Sequence, residues 1–264
     1  MREPVVSGSF YEDNFDNLSK QIENCFEKGP GTLPIKRKDV EIKGVISPHA
    51  GYFFSGKCMA WVYKEIGESK FPSVYVIIGT NHYNNETLVN LDDWKTPFGI
   101  IRNYGDDLGL EKSKMDGEHS IEVQLPFLQF VSKDRLKEVK ILPIVTSSYN
   151  KDVVEKIRKI KNKVVIASSD FTHYGDNYNY KPFIYNKKEN LYLEDKKAID
   201  FILKLDVKGF LDYSKNKTIC GKGAIAMVMD LCKDSKTRLV DYYTSGDVVN
   251  NYDNAVGYGG VVFV

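Results

Sequence analysis

The stretch VYVIIGTNHY, residues 74–83, decides the fold class. Its first six residues, Val74–Gly79, form a continuous apolar run, and His82 follows shortly after the run ends. A run of this length suits a strand that is buried on both faces of a mainly parallel sheet. Five other runs share this character and are predicted as strands: Gly44–Ser47, Val139–Thr146, Val164–Ala167, Leu239–Thr244 and Gly260–Val264.

Segments with helical spacing of apolar residues lie between these runs. In Asp13–Lys28, for example, Phe15, Leu18 and Ile22 fall on one stripe, together with Cys25 or Phe26. The other predicted helices are Ser55–Ile66, Val153–Ile160, Leu191–Leu205 and Lys222–Lys233. Strands that alternate with helices indicate a layered α/β fold, with a mainly parallel or mixed sheet flanked by helices.

The segment Glu118–Phe130 is ambiguous. Its apolar spacing fits a helix, but Pro126 breaks or starts one, so we expect a helix that begins or kinks near this proline. No Ser/Gly-rich tract, charge block or internal repeat divides the chain. We therefore predict one domain, residues 1–264.

Composition excludes several classes of protein. The 264 residues carry a formal net charge of +1, without the basic stripe of a nucleic-acid-binding protein. No apolar run approaches the roughly 20 residues that a bilayer requires. The N-terminus has no apolar signal-peptide core, so we expect a cytoplasmic protein. Because no CxxC spacing occurs, Cys25, Cys58 and Cys232 are predicted to be buried thiols.

Three of the four histidines follow predicted strands. His49 comes after Gly44–Ser47, His82 after Val74–Gly79, and His173 after Val164–Ala167. One such histidine is usually an ordinary hydrogen-bonded loop residue. In open α/β sheets, however, ligands bind beyond the carboxyl ends of the strands, and three histidines at equivalent positions favour a shared site there.

The fourth histidine, His119, admits two interpretations. It lies in MDGEHSIEVQLPF, residues 115–127, beside Glu118. It is either a residue at a helix N-terminus, or part of a loop that folds over the same pocket. In the second case His119 or Glu118 contacts the substrate, and composition does not decide between the two.

Cys220 differs from the other cysteines because it precedes an apolar helix and is followed by Gly221. The positive end of a helix dipole favours the thiolate, which binds metals and attacks carbonyl groups. The alternative is an inert buried thiol. Asp170, three residues before His173, either orients an imidazole or caps a turn. The candidates for aromatic walls are Phe10, Tyr11, Tyr52, Phe53 and Phe54.

Taken together, five motifs resemble the Memo family. They are PHAGYFFSG (48–56), IGTNHY (78–83), EHSIEVQLPFLQ (118–129), SSDFTHYG (168–175) and TICGKGAI (218–225). Both ends of the chain, REPVVSGSFY and GYGGVVF, are similar to those of the family as well. The resemblance therefore extends over essentially the whole sequence.

This resemblance implies a class III extradiol dioxygenase-like fold, in which two histidines and a glutamate hold non-haem iron and a further histidine acts as base. Carried over to the matching motifs, His49 and His82 are metal ligands and His173 is the base. Cys220 stands where the dioxygenases have their carboxylate. A thiolate makes the site softer, so that one ion of iron, copper or zinc is expected.

The sequence departs from the family pattern at two positions near the expected pocket. Phe10 stands where many members have tryptophan, and Tyr83 stands where many have a second histidine. With Tyr52 and Glu118, these residues form the predicted substrate-binding set.

Three functions follow as hypotheses. The first is a metal-dependent redox enzyme, in which His173 transfers protons, Asp170 orients it and His119 contacts the substrate. The second is a module that binds a small molecule or a phosphopeptide-like ligand in the same pocket. The third is a hydrolase with a Cys220 nucleophile and His173 as its base.

Overall fold

The computed structural model describes all residues, 1–264. Its sheet has eleven strands, and these are β1 (Gly44–Ser47), β2 (Val74–Thr80), β3 (Leu88–Val89), β4 (Trp94–Thr96), β5 (Gly99–Asn103), β6 (Glu111–Lys112), β7 (Lys140–Thr146), β8 (Lys163–Ser168), β9 (His173–Gly175), β10 (Thr237–Thr244) and β11 (Asn254–Phe263). The eight α-helices are α1 (Phe15–Lys28), α2 (Tyr52–Glu68), α3 (Gln124–Val131), α4 (Lys151–Arg158), α5 (Lys187–Leu203), α6 (Val207–Ser214), α7 (Lys222–Leu231) and α8 (Ser245–Val249). The predicted α/β class is confirmed.

The sheet is mixed, with a parallel centre. Its main order is β10-β11-β1-β8-β2-β7-β3-β6. Strands β1, β8, β2 and β7 run parallel to one another, whereas β11 is antiparallel to β1 and β3 is antiparallel to β7. The carboxyl ends of β1, β8 and β2 therefore lie side by side, with Ser47 paired to Ser168 and Ile78 paired to Ala167.

Both faces of the sheet are covered by helices. Along β2, Tyr75 and Ile77 pack into the core formed with α1, α2 and α3, while Val76 and Ile78 pack into the core formed with α4 to α7. This alternation is the period of two that a strand imposes on its side chains. It explains why the central strands are apolar throughout, since each face has its own core.

The predicted helices and long strands are all present, with ends shifted by a few residues. Helix α3 begins at Gln124, which places Pro126 in its first turn, where a missing backbone N–H costs no intrahelical hydrogen bond. Strands β3 to β6 and β9 were not predicted, because two to five residues are too few to display a period. Cys25, Cys58 and Cys232 are buried free thiols, as predicted. None of the helices combines the length and apolarity that a bilayer crossing demands.

A buried carboxylate fixes the N-terminal segment to the turn before α3. Glu122 is fully buried and accepts hydrogen bonds from the Arg2 guanidinium, the backbone N–H groups of Val5 and Val6, and the Tyr11 hydroxyl. The segment that carries Phe10 is thereby held against the residues that follow His119.

We expect Glu122→Gln to lower the free energy of unfolding by about 3–5 kcal/mol, because it leaves the buried Arg2 cation without its counter-charge. Urea unfolding of the variant and the wild type measures this difference. Glu23→Gln, at an exposed position without an ion pair, is the control and should change stability little. Equal stability of wild type and Glu122→Gln would contradict this role for the ion pair.

Candidate metal centre

A cavity of about 660 Å³ opens at the carboxyl ends of β1, β8 and β2. We call it the main cavity. One part of its wall is polar and the other is aromatic. The polar part includes His49, His82, His119, Asp170 and His173, and the aromatic part includes Phe10, Tyr11, Phe53, Phe54, Tyr178 and Tyr258. The predicted convergence of His49, His82 and His173 at this edge of the sheet is thus observed.

Three histidines come together closely enough to share one ion. Ligand atoms of His49, His82 and His119 all lie within 4.8 Å of one another. The rings of His82 and His119 are stacked, with centroids 4.9 Å apart. His119 lies in the turn that precedes α3, so the loop interpretation of this histidine agrees with the structure. The sequence predicts that His119 contacts the substrate, but it does not predict a position among the metal ligands.

Cys220 completes the cluster. Its Sγ lies 3.3 Å from His49 Nε2 and accepts a hydrogen bond of 3.3 Å from the backbone N–H of Asp170. It stands two residues before α7, as the sequence predicted. Gly221 is needed in between, because a Cβ at that position would lie 2.5 Å from the Ser169 side chain. The sulfur therefore sits at the helix start, facing the histidines.

A carboxylate orients His82 from behind. Nδ1 of His82 lies 3.1 and 3.0 Å from the two carboxylate oxygens of Glu118, which is only 2 % exposed. Glu118 also accepts hydrogen bonds from the backbone N–H groups of His82 and Ser120. Because a carboxylate only accepts, Nδ1 of His82 carries the proton and Nε2 is the ligand atom. Glu118, which was predicted to bind substrate, contacts His82 and Ser120 in the structure and does not line the main cavity.

A chain of hydrogen bonds fixes the tautomer of His49 as well. Ser168 donates its hydroxyl proton to the carbonyl oxygen of Ser120 at 2.6 Å and accepts from Gln124 Nε2 at 2.8 Å. His49 Nδ1, 3.1 Å from the same hydroxyl, must therefore donate to it. Nε2 of His49 is left as the ligand atom, and it is the nitrogen that faces Cys220.

His173 is held by main-chain oxygens. Its Nδ1 lies 3.0 Å from the carbonyl oxygen of Phe171 and 2.9 Å from that of Thr218, so Nδ1 is a donor and Nε2 is free. The predicted orienting contact from Asp170 does not occur. The Asp170 carboxylate instead accepts from the backbone N–H of His49 at 2.8 Å, which is the turn-capping alternative. The predicted pairing of Cys220 with His173 is likewise replaced by the contact with His49.

The charged groups of the cluster strongly shift one another's pKa values. Burial lowers the pKa of His49, but the negative charges of the Cys220 thiolate and of Asp170 outweigh burial and raise this pKa to about 9. Burial raises the pKa of Cys220, but the charge of His49 and hydrogen bonds from His49 and His82 bring it well below the usual value. In the absence of a metal, these shifts favour a thiolate–imidazolium pair of Cys220 and His49.

The pKa values of the other two histidines of the cluster, His82 and His119, are shifted in opposite directions. Burial lowers the pKa of His82, yet hydrogen bonding to Cys220 and Glu118 raises it to about 10. Burial and the nearby charge of His49 lower the pKa of His119 to about 4. His119 is therefore neutral at pH 7, with a lone pair available to a ligand.

Of the predicted aromatic residues, Phe10, Tyr11, Phe53 and Phe54 line the main cavity, and the ring centroid of Phe10 lies 5.1 Å from that of His119. Two others do not reach it. The Tyr52 side chain is buried and donates to the carbonyl oxygen of Val123, whereas Tyr83 is 66 % exposed and donates to that of Gly117. Tyr178 and Tyr258 were not predicted. Tyr258 lies in the terminal GYGGVVF motif, which could have indicated it, but no pattern marks Tyr178.

In metal-free protein we expect Cys220 to become a thiolate at a lower pH than an ordinary cysteine, because its pKa lies well below the usual value. The pH dependence of iodoacetamide alkylation, followed by mass spectrometry at Cys220, measures this. His49→Gln removes the largest stabilising charge and should shift the alkylation profile to higher pH. Cys232, whose pKa burial raises to about 12, is the internal control and should stay unmodified. A Cys220 profile with its midpoint near pH 9 in the wild type would contradict the pairing.

Known proteins place the chain in a family. The sequence model described as Memo-like protein matches residues 2–262. A MEMO1 family protein of Nitrosopumilus maritimus is 37% identical, over 100% of both chains. One from Methanosarcina acetivorans is 36% identical, over 99% of this chain and 98% of its own. Among solved structures, the uncharacterized protein JW3007 of Escherichia coli K12 is 8% identical with a TM-score of 0.46, over 85% of this chain and 100% of its own.

The likeness to the Escherichia coli structure is too slight to bear on function. The family model and the full-length relatives agree with the resemblance seen in the five sequence motifs. The chain therefore belongs to the Memo family.

Proposed function

We propose that His49, His82 and Cys220 hold one transition-metal ion, with His119 as an adjacent nitrogen donor, and that the protein carries out redox chemistry on a small or aromatic substrate. One observation carries this proposal. Ligand atoms of three histidines lie within 4.8 Å of one another, and the Cys220 sulfur lies 3.3 Å from one of them.

The donor set suits the metals that the sequence suggested. Imidazole nitrogen and thiolate sulfur favour copper, iron and zinc, whereas magnesium and calcium prefer oxygen ligands. The hydrogen bonds from Nδ1 of His82 to Glu118 and from Nδ1 of His49 to Ser168 are typical of metal-bound imidazoles, because they fix the ring and direct Nε2 to the ion. When bound, such an ion supplies Lewis acidity and, if it is iron or copper, a redox couple.

Binding of the ion is coupled to protons. His49 and His82, with pKa values of about 9 and 10, are protonated at neutral pH in the absence of metal. A metal must displace these protons, so its apparent affinity should rise as the pH increases towards 10. The lowered pKa values of Cys220 and His119 favour the thiolate and the neutral imidazole, so neither group opposes binding.

The remaining residues of the main cavity have roles in this proposal. Nε2 of His173 is free to accept a proton from a substrate, since both main-chain contacts engage Nδ1. Asp170 holds the backbone of His49 in place and so positions a ligand. Phe10 and Phe53 offer flat apolar surfaces beside the cluster, which suit an aromatic ring.

A second candidate is non-catalytic binding of a phosphorylated or acidic ligand. The protonated imidazoles of His49 and His82 give the metal-free cavity positive charge next to aromatic walls. A phosphate group on an aromatic ring matches that combination. This function requires a cavity that stays free of metal, so the two candidates make opposite predictions.

We expect wild-type protein purified without chelators or an affinity tag to contain about one iron, copper or zinc ion per chain. His49→Ala and Cys220→Ser should each lose most of it, because each removes a ligand. Elemental analysis by mass spectrometry measures the content. Cys25→Ala removes a thiol outside the main cavity and should retain the metal.

A wild type that is metal-free and also rejects added iron, copper and zinc would contradict the metal proposal. Saturable binding of phenyl phosphate to that protein, weakened in His82→Ala, would then support the second candidate. Retention of a full equivalent of metal in Cys220→Ser would show that the sulfur is not a ligand.

A further inference from the structure

A second cavity, of about 490 Å³, adjoins the main cavity. We call it the lysine cavity, after Lys28 and Lys57, which line it. It lies among α1, α2, the end of β10 and α8. Gln21, Phe53 and Phe54 line both cavities, so the two share a wall that is largely aromatic. A ligand long enough to pass this wall would contact both.

The lysine cavity is lined by two cations and by no carboxylate. Neither Lys28 nor Lys57 lies within 4.0 Å of a carboxylate oxygen. By contrast, Nζ of Lys64, which lies on α2 together with Lys57, is 2.5 Å from a carboxylate oxygen of Glu68. The half-buried carboxylate of Asp241, whose pKa burial raises and the charge of Lys57 lowers, lies near Lys57 but forms no ion pair with it within 4.0 Å. Two lysines thus line the cavity without a direct ion-pair partner, and the nearby carboxylate of Asp241 offsets only part of their positive charge.

Lys57 is held in place by an aromatic ring. It is half-buried, and its Nζ lies 4.1 Å from the centroid of the Tyr243 ring. Tyr243 is itself fixed, because its hydroxyl donates to the carbonyl oxygen of Phe54 at 2.7 Å. A ring face attracts the ammonium group but accepts no conventional hydrogen bond, so the N–H donors of Lys57 remain available.

We propose that the lysine cavity binds the anionic group of an elongated aromatic ligand, a carboxylate or phosphate contacted by Lys57 and Lys28. The aromatic ring lies on Phe53 and Phe54, and the opposite end of the ligand reaches the main cavity. This inference rests on the proposed function, since it describes the substrate class of the same site. It adds a charged recognition element on the far side of the aromatic wall from the metal ligands.

Two fluorescent probes separate charge from ring stacking. The anion 8-anilinonaphthalene-1-sulfonate and its neutral analogue N-phenyl-1-naphthylamine share the same rings. We expect Lys57→Met to weaken binding of the anionic probe about tenfold, with a larger loss in the double variant with Lys28→Met. Binding of the neutral probe should change less than twofold. Phe53→Ala, at an exposed position, should weaken both probes by similar factors.

Lys64→Met is the matched control, because Lys64 lies on the same helix outside both cavities, and it should leave both probes unaffected. Equal losses for the two probes in Lys57→Met, an unchanged affinity for the anionic probe, or no binding of either probe to wild type would each overturn the inference. Metal content of Lys57→Met, measured in parallel, should equal that of wild type. A wild-type protein that contains no metal would contradict the proposed function but not the proposal that the lysine cavity binds an anionic group.

Discussion

The parallel pairing of β8 with both β1 and β2 is the constraint on which the candidate site depends. In-register hydrogen bonding aligns Ser47 with Ser168, and Ile78 with Ala167, so that three chain segments leave the sheet at one edge. His49, His82 and the segment from Asp170 to His173 are brought together by this pairing, although more than 120 residues separate the first from the last. A slip of one residue would turn the side chains of that strand to the opposite face.

Buried polar groups then convert proximity into orientation. Ser168, the last residue of β8, contacts His49 and Gln124 and donates to the backbone of Ser120, thereby linking the central strand to the turn before α3. Glu118, in that same turn, holds His82. The imidazole rings of His49 and His82 are thus fixed through Nδ1, and the Nε2 atom of each is presented to the cluster. An unpaired polar group in such a location is costly, so the network also favours one arrangement of the core.

The general position of the site could be predicted from the sequence. Three histidines each follow a predicted strand, and the carboxyl ends of parallel strands lie together at one end of the sheet. The dipole argument for Cys220 likewise needed only Gly221 and the apolar helix that follows. The contacts that orient the metal-binding histidines could not be predicted this way. Glu118 and Asp170 each had several plausible partners, and the choice depends on distances set by the packing of α3 and of the loop after β8. Tyr52 looked like a wall residue, but the first turn of α2 directs it into the core.

The proposed metal centre requires that the Cys220 sulfur and imidazole nitrogens bind the same ion. Titration of metal-free protein with cobalt(II), followed by absorption spectroscopy, detects both kinds of ligand. In the wild type we expect a thiolate-to-cobalt charge-transfer band in the near ultraviolet. The intense visible bands of four-coordinate cobalt should accompany it. In Cys220→Ser, which should bind the ion more weakly, the charge-transfer band should vanish, while a large excess of cobalt should still produce weaker visible bands from the nitrogen ligands. Wild-type and variant spectra that are identical, or that both match hydrated cobalt, would contradict the claim.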